Sequence, residues 1–389
     1  MILEKRKEMI KMSIREMEKN KRYQIEIPLG YRGGQKIRHY ETFYGTKKEA
    51  KIKEYQIKIQ LKEGSYVKKT DMTFEDLSKE YLRLQKGILS LKTYINYEHR
   101  MVTINEHLGF IKLKDLNAKV IENFYDYMRH DYVSIRGKHI SSTTVQHYYT
   151  IINNMLENAV KWDYMTHNPN KRIAKPKRVR TNIQCYSPEE VDKLLEVLKN
   201  EPIKYQAVIQ LALDLGCRRG ELLGLTWDDI DFKTGKVVIN KALQYAYGKT
   251  YEKETKTENS NRVNFISKNT INVLKKYQKD QLERKMLLGS KWIDTNRVFT
   301  TEFGGDMHPD TPTKLLDHII SKYHLKRITF HGLRHTNVSL MISKGVQSQI
   351  ISRKVGHSSV QITDKIYSHF FEDEFKAVAN VMDEVLSAH

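Results

Sequence analysis

Apolar residues recur at helical spacing in three segments of the first half of the chain, Phe74 to Leu84, Val120 to Met128 and Val145 to Val160. Thr73, followed three residues later by an Asp, has the pattern of a capping box and predicts the start of the first helix. Strand-like alternation is absent from these segments. The pattern therefore predicts an all-helical domain over residues 71–168.

The segment before these helices has a different pattern. Tyr23 to Pro28 and Ile37 to Tyr44 alternate between apolar and polar residues, which is typical of strands, and Lys47 to Lys62 has the pattern of a basic helix. Met1 to Lys21 is rich in Lys and Glu and favours a charged helix. Residues 1–70 are therefore predicted to form a small α+β module.

The second half of the chain predicts a mixed α/β domain that is mostly helical. Ser187, with Pro and Glu residues directly after it, predicts the first helix of a domain spanning 186–389. Val208 to Leu215 and Phe330 to Ser343 favour helices, and Arg262 to Ile266 favours a strand. Residues 169–185, which contain two prolines and several basic residues, are predicted to form a flexible linker.

Charge narrows the class of partner. The 389-residue chain has a formal net charge of +20 and a sequence pI of about 9.5, which favours a polyanion. Residues 1–70 hold 19 Lys and Arg against 9 Asp and Glu, a net of +10. This excess predicts a DNA-binding module, and the alternative is a solvated basic tail. Hydroxyls at Ser90 and Ser141 suit either phosphate contacts at helix N-termini or ordinary caps.

Other features of the composition exclude several classes of protein. We find no apolar run near 18 residues and no signal-peptide pattern, so we expect no membrane contact. Cys185 and Cys217 are too few for a disulfide scaffold, and they fit a reducing cytoplasm. The spacing of His and Cys offers no metal site, and no Gly-x-x-x-x-Gly-Lys loop is present. We therefore expect neither a cofactor nor ATP.

Five residues suggest a site for a phosphodiester. His331 and Arg334 are three apart on a predicted helix, so they share one face and can converge on one anion. His357 follows in Val-Gly-His, and Tyr367 lies ten residues later. Arg218 lies upstream, after an apolar helical run. Arginines, histidines and a tyrosine in this order indicate phosphoryl transfer to a tyrosine without a metal.

These motifs resemble the tyrosine recombinases, the phage integrase family, from about Thr73 to the C-terminus. Arg218 occupies the Gly-x-Arg-x-x-Glu motif, in which Glu221 supports it, and Arg219 is not the matching arginine. The resemblance also implies a catalytic lysine on a β-hairpin. Lys256, in Thr-Lys-Thr before a strand, fits best, and Lys253 is the alternative.

The resemblance implies a role for each residue. Tyr367 attacks phosphorus and forms a 3′-phosphotyrosyl bond, while His331 accepts its proton. Arg218 and Arg334 bind the phosphate oxygens with their planar forks. His357 is a further donor to the phosphate. The lysine, assigned as Lys256, protonates the leaving 5′ oxygen.

The resemblance also implies partners. The α+β module resembles an arm-type DNA-binding module and the helical domain a core-binding domain, so the expected partner is double-stranded DNA with core and arm attachment sites. A homo-tetramer on DNA is expected, in the cytoplasm and associated with the nucleoid when bound, with an excision or directionality factor and a DNA-bending protein as further partners. Integrases of phages and conjugative transposons are the most similar members. The alternatives are a type IB topoisomerase-like enzyme and a catalytically silent DNA-binding regulator.

The end of the chain predicts one more element. Phe375, Val378, Met382 and Val385 follow a 3, 4, 3 spacing and form one apolar stripe of a helix. In the resembling family this tail docks on a neighbouring protomer. The alternative is that it packs on its own catalytic domain.

Overall fold

The computed structural model describes residues 12–19, 21–32, 35–62, 71–134, 137–177, 184–254, 261–357, 359–367 and 386–387. The chain divides into two compact units, Met1–Arg180 and Thr181–His389. Lys256 and the apolar stripe that begins at Phe375 lie outside the described residues. No helix among the described residues is both long enough and apolar enough to cross a membrane.

The first unit begins with a three-stranded antiparallel sheet, β1 (Ser13–Glu18), β2 (Arg22–Arg32) and β3 (Gln35–Tyr44), followed by helix α1 (Lys47–Lys62). Ile25 and Ile27, two alternate residues of β2, point into a small core. This core also contains Met12 and, from α1, Ile57. The sheet confirms the two predicted strands. The helix expected over Met1 to Lys21 was wrong at residues 13–18, because β1 pairs along β2 and places Ile14 against this core.

Four helices follow in the first unit, and all begin at side-chain caps. They are α2 (Phe74–Gln85), α3 (Leu91–Leu108), α4 (Ala118–His130) and α5 (Ser142–Lys161), capped by Thr73, Ser90, Asn117 and Ser141. Their apolar faces form one core that includes Phe74, Ile104, Ile121 and Ile152. The all-helical prediction is confirmed, and so is the capping box at Thr73.

The start of the predicted linker packs against these helices. Pro169–Arg172 forms a 3-10 turn, and Ile173 is buried in the helical core. Asn170, fully buried, accepts a hydrogen bond from the Tyr125 hydroxyl at 2.8 Å. The Gln146 amide donates to the Pro176 carbonyl at 3.1 Å. This part of the basic segment is therefore bound to α4 and α5, and the linker boundaries stay a prediction.

The second unit is mostly helical around a small sheet. In chain order it contains α6 (Pro188–Leu198), α7 (Ile203–Leu215), α8 (Arg219–Gly224), β4 (Ile230–Asp231), β5 (Lys236–Ile239), β6 (Lys241–Ala246), β7 (Lys249–Glu254), β8 (Arg262–Phe265), α9 (Lys268–Leu288), α10 (Thr311–Lys322), α11 (Phe330–Ser343), α12 (Ser348–Val355) and α13 (Val360–Tyr367). Strands β4, β5 and β8 form one antiparallel sheet, and β6 and β7 form a hairpin.

The core of this unit surrounds α7, whose residues are apolar on nearly every side. A helix of this kind is buried all round, and α9, α10 and α11 all contact it. Ser187 and Glu190 form the predicted capping box at the start of α6. The mixed, mostly helical fold is confirmed, and the ends of α7, α11 and α12 meet where the candidate residues lie.

Candidate active site

Helix α11 places two of the predicted residues. The Thr329 hydroxyl caps the helix by accepting from the Gly332 amide at 3.1 Å. A Cβ at Gly332 would lie 2.9 Å from the Gln184 carbonyl oxygen, so only glycine fits against this carbonyl. His331 is exposed, whereas Arg334, three residues later, is only 3 % exposed. The helix therefore holds one group at the surface and the other inside.

Arg334 joins the ends of two helices. Its Nη1 donates to the carbonyl oxygens of Gly216 at 2.8 Å and Val355 at 2.5 Å. These carbonyls follow α7 and end α12, where a helix has no internal donor for them. Gly216 adopts φ of +59°, and a Cβ there would lie 2.5 Å from Asn337 Oδ1, so the turn requires glycine. Burial, with help from Arg218, lowers the pKa of Arg334 to about 10, so it stays charged at neutral pH.

Arg218 lies directly before α8 and remains accessible. Its Nη1 donates to Glu221 Oε1 and its Nη2 to the Gly356 carbonyl oxygen, both at 2.8 Å. These bonds use two of the five N–H groups of a guanidinium. The side chain is 45 % exposed, so its remaining donors can reach an anion. Arg219 instead contacts Thr313 at 2.8 Å and Asp310 at 3.1 Å, in another part of the unit.

Glu221 links Arg218 to an arginine that the sequence analysis did not assign. Its Oε2 accepts from Arg262 Nη2 at 2.7 Å and from the Arg218 backbone amide at 2.8 Å. Burial raises the pKa of this carboxyl, but the hydrogen bond and charge of Arg262 outweigh burial, and the net pKa is below its usual value. The carboxylate is therefore ionised and paired with two arginines.

The sequence pattern did not reveal Arg262, because an alternating strand is expected to bury its apolar side. In β8 the polar residues Arg262 and Asn264 are buried, whereas the apolar residues Val263 and Phe265 are exposed. A strand whose polar side faces inward must find partners there for its polar groups. Both side chains donate to the Lys354 carbonyl oxygen, at 2.8 Å from Arg262 Nε and 2.9 Å from Asn264.

The predicted histidines surround this cluster. His357 follows Gly356, which ends α12 with φ of +71°, and its Nδ1 lies 2.8 Å from the hydroxyl of the fully buried Thr363. The rings of His331 and His335 meet edge to face, with centroids 4.8 Å apart. His335 was not a predicted site residue.

The imidazoles share one electrostatic environment. Desolvation, followed by the charges of Arg334 and Arg218, lowers the pKa of His357 to about 4 and also lowers that of His331, although the latter is exposed. Desolvation and His331 lower the pKa of His335 to about 4. The three rings are therefore neutral at pH 7, and a neutral imidazole can accept a proton.

Of the other two predicted residues, the structure describes only the backbone of Tyr367. Tyr367 is the last residue of α13, four residues after Thr363, and its side chain lies outside the described residues. Lys256 lies outside them entirely. The alternative, Lys253, lies on β7 opposite Ala242 of β6.

Comparison with known proteins decides the family. The profile of the phage integrase family matches residues 185–374, and that of the phage integrase SAM-like domain matches residues 73–173. The chain belongs to the phage integrase family. This confirms the resemblance and the predicted fold class, and the chain is a tyrosine recombinase, an enzyme of site-specific DNA recombination.

Similar proteins extend over most of this recombinase. A tyrosine recombinase XerC-like protein of Caldanaerobacter subterraneus subsp. tengcongensis is 29% identical over 89% of this chain and 92% of its own length. The ICEBs1 integrase of Bacillus subtilis is 25% identical over 96% of this chain and 100% of its own.

Two solved structures have a similar fold. The Tn1549 transposon integrase in complex with a circular intermediate DNA has a TM-score of 0.66 and 19% identity, covering 80% of this chain and 99% of that one. A lambda integrase tetramer bound to a Holliday junction has a TM-score of 0.56 and 18% identity, covering 91% of this chain and 94% of the other.

Proposed function

We propose that this recombinase integrates and excises a mobile DNA element through a 3′-phosphotyrosyl intermediate. One observation carries the site: Arg218, directly before α8, and Arg334, within α11, bind the neighbouring carbonyls of Gly356 and Val355. Those carbonyls directly precede His357. Two guanidinium groups and an imidazole are thereby gathered at one place, as a phosphodiester requires.

Cleavage starts with attack by the Tyr367 phenol on phosphorus. An unperturbed phenol has a pKa near 10, so it needs a nearby base and a positive field. His331, neutral and exposed, takes the phenolic proton. The oxygen–phosphorus bond to Tyr367 forms while the bond from phosphorus to the 5′ oxygen breaks, and Lys256 protonates that oxygen.

Charge develops on the non-bridging oxygens during this step. The free N–H groups of Arg218 reach them from the exposed side, and Arg334 supplies a fixed positive charge. His357, whose Nδ1 is held by Thr363, presents its other ring nitrogen as a further donor. Rejoining is the reverse reaction, in which a 5′ hydroxyl of another strand attacks the phosphotyrosine. The number of phosphodiester bonds is conserved, so neither ATP nor a redox partner enters the balance.

The assembly proposed for this reaction is a homo-tetramer on two DNA duplexes. Residues 71–168 and 186–389 bind the core site, and residues 1–70 bind arm sites. The net charge of +10 in residues 1–70 supports the arm-site assignment. The segment that contains Phe375, predicted from its sequence to be a helix, is proposed to dock on a neighbouring protomer. An excision factor and a DNA-bending protein act with the tetramer, and the complex is associated with the nucleoid.

The decisive experiment traps the covalent intermediate. The wild-type protein is incubated with a nicked core-site suicide substrate, and the phosphotyrosyl adduct is measured on a denaturing gel. Tyr367→Phe should abolish the adduct and keep core-site binding nearly unchanged. Tyr323→Phe is the matched control, because the Tyr323 hydroxyl binds Glu201 at 2.9 Å in another part of the unit. Adduct from Tyr367→Phe would exclude this nucleophile.

Two further assays separate the alternatives. A 5′-bridging phosphorothiolate needs no proton on its leaving sulfur, so it should rescue Lys256→Ala, whereas rescue of Lys253→Ala would move the role to that residue. Supercoil relaxation without joining of two attachment sites would favour a topoisomerase. Absence of any wild-type adduct would favour a silent DNA-binding regulator.

A further inference from the structure

The end of α12 is held by arginines at three successive carbonyls. Arg262, Arg334 and Arg218 donate to the carbonyl oxygens at positions 354, 355 and 356 respectively. The last carbonyls of a helix lack internal donors and carry partial negative charge, so cations stabilise them. The proposed function uses Arg218 and Arg334, and it leaves Arg262 without a role.

Arg262 differs from Arg218 in access. Its side chain is 6 % exposed, and it is packed so closely that a Cβ on Gly356 would lie 2.8 Å from its Nη1. Such a buried group is poorly placed to reach DNA. Its contact with Glu221 at 2.7 Å joins it instead to the partner of Arg218.

The geometry at Glu221 shows what Arg262 can do. Arg262 occupies Oε2 together with the Arg218 backbone amide, which leaves Oε1 for one nitrogen of the Arg218 fork. Arg218 can therefore use its other terminal nitrogen on the Gly356 carbonyl and keep its outer side exposed. Without Arg262, the buried carboxylate would have both oxygens available to the Arg218 fork, the favoured bidentate geometry.

We propose that Arg262 is a positioning residue for DNA cleavage, which fixes Glu221 so that Arg218 binds the carboxylate with one nitrogen and faces the phosphate. This proposal rests on the proposed function. The contact of Arg262 with the Lys354 carbonyl is not what distinguishes it, because the Asn264 amide donates to the same oxygen. The hydrogen bond to Glu221 comes from Arg262 and distinguishes it from Asn264.

The test compares full-length Arg262→Gln, Arg262→Lys and Asn264→Ala. Asn264 is a matched control because it lies on the same strand and face and binds the same carbonyl. Adduct formation on the suicide substrate is measured in a single turnover, together with core-site Kd and thermal midpoint. Arg262→Gln should slow adduct formation about 10- to 100-fold, since small misplacements of a catalytic group have effects of that size. Arg262→Lys should recover part of the rate, and Asn264→Ala should retain most of it.

A double variant tests whether Arg262 acts through Arg218. Once Arg218 is replaced by Ala, Arg262→Gln should slow the reaction little further, because the residue that it positions is gone. Equal losses from Arg262→Gln and Asn264→Ala would overturn the proposal. So would multiplied losses in the double variant, or a fall in core-site binding parallel to the fall in rate.

The outcomes remain interpretable if Arg262→Gln does not fold. Arg262→Lys then takes its place in the single and double variants, with the same expected pattern and a smaller loss. The wild-type protein separates this proposal from the proposed function. If the wild type forms no adduct, the proposed function fails, whereas a normal adduct from a folded Arg262 variant contradicts only the positioning role.

Discussion

The two units of this recombinase bury different kinds of polar side chain. Among the described residues of the helical region, 71–134 and 137–177, the buried polar side chains are uncharged: Ser78, Asn168 and Asn170. The described part of the second unit buries Glu201, Glu221, Arg262, Arg297 and Arg334. Both regions nevertheless have an extensive apolar core.

At the candidate active site, the difference agrees with the proposed function. Burying a charge costs several kcal/mol unless it is paired, so buried charges persist only where partners surround them. Glu221, with Arg218 and Arg262, is one such group. A phosphate that gains charge during reaction needs donors that are already oriented. The helical region has no comparable need, because contacts to a DNA backbone can be made by exposed caps and lysines.

The largest expected effect is loss of an arginine in the catalytic cluster. Arg218→Ala and Arg334→Ala should each slow adduct formation by at least about 100-fold, as loss of a preorganised donor does. Arg334→Ala should also lower stability, because it leaves the Gly216 and Val355 carbonyls without this donor. Single-turnover rates and urea midpoints check both. Arg219→Ala is the control, and equal damage from it would mean that the motif is read in the wrong register.

A smaller catalytic effect is expected at Thr363. Thr363→Val removes the hydroxyl 2.8 Å from His357 Nδ1, so the ring loses the group that fixes its tautomer and orientation. We expect cleavage in a single turnover to be about tenfold slower. This is the low end of the effect found when a group that orients a functional histidine is removed. Thr363→Ser keeps the hydroxyl and should keep most of the rate. A Val variant as fast as the wild type would exclude this role.

In the helical region the corresponding change should alter stability alone. Tyr125→Phe removes the donor to the buried Asn170 oxygen, and an unsatisfied buried acceptor costs about 1–3 kcal/mol. Urea unfolding of the first unit should shift accordingly, while the adduct rate of the DNA-bound protein stays unchanged. Tyr149→Phe is the control, because its hydroxyl makes only long contacts of 3.4 and 3.5 Å. A slower chemical step would break the contrast between the units.

The neutral histidines predict a pH dependence of the second unit. The folded-state pKa values of His335 and His357 are about 4, against 6.5 for the ordinary side chain. The unfolded chain therefore binds more protons between these values, and stability falls as the pH is lowered from about 6.5 to about 4. Urea midpoints across this range measure the slope. His357→Gln should flatten it, and an unchanged slope would argue against a depressed pKa.

The smallest effect on chemistry is expected from the N-terminal module. Deletion of residues 1–70 should spare cleavage of a core-site substrate and weaken recombination on DNA that carries arm sites. Because these residues carry +10, the salt dependence of full-length binding to arm-site DNA should be steeper than that of the truncated protein. Identical slopes would support the solvated-tail alternative.

Local structure was largely predictable from the sequence. The helix Phe330–Ser343 and the strand at Arg262 were predicted within a residue, because hydrophobic period and capping residues act over a few positions. The strand Ser13–Glu18 was missed because only Ile14 of its residues packs on the core side of the sheet, which leaves no apolar alternation to detect. The strand forms because it pairs with β2. Pairing of this kind is not written in the local pattern.

The sequence by itself determined the elements, the excess of positive charge and the order of Arg218, His331, Arg334, His357 and Tyr367, since each is a property of residue type and spacing. Only the tertiary structure decided which groups meet. Arg262 binds Glu221, and three arginines gather at the end of α12, because packing brings together backbone carbonyls that no side-chain pattern reveals. Exposure was decided in the same way. Arg218 and Arg334 are the same residue type, yet the first lies at the surface just before α8 while α11 carries the second into the core.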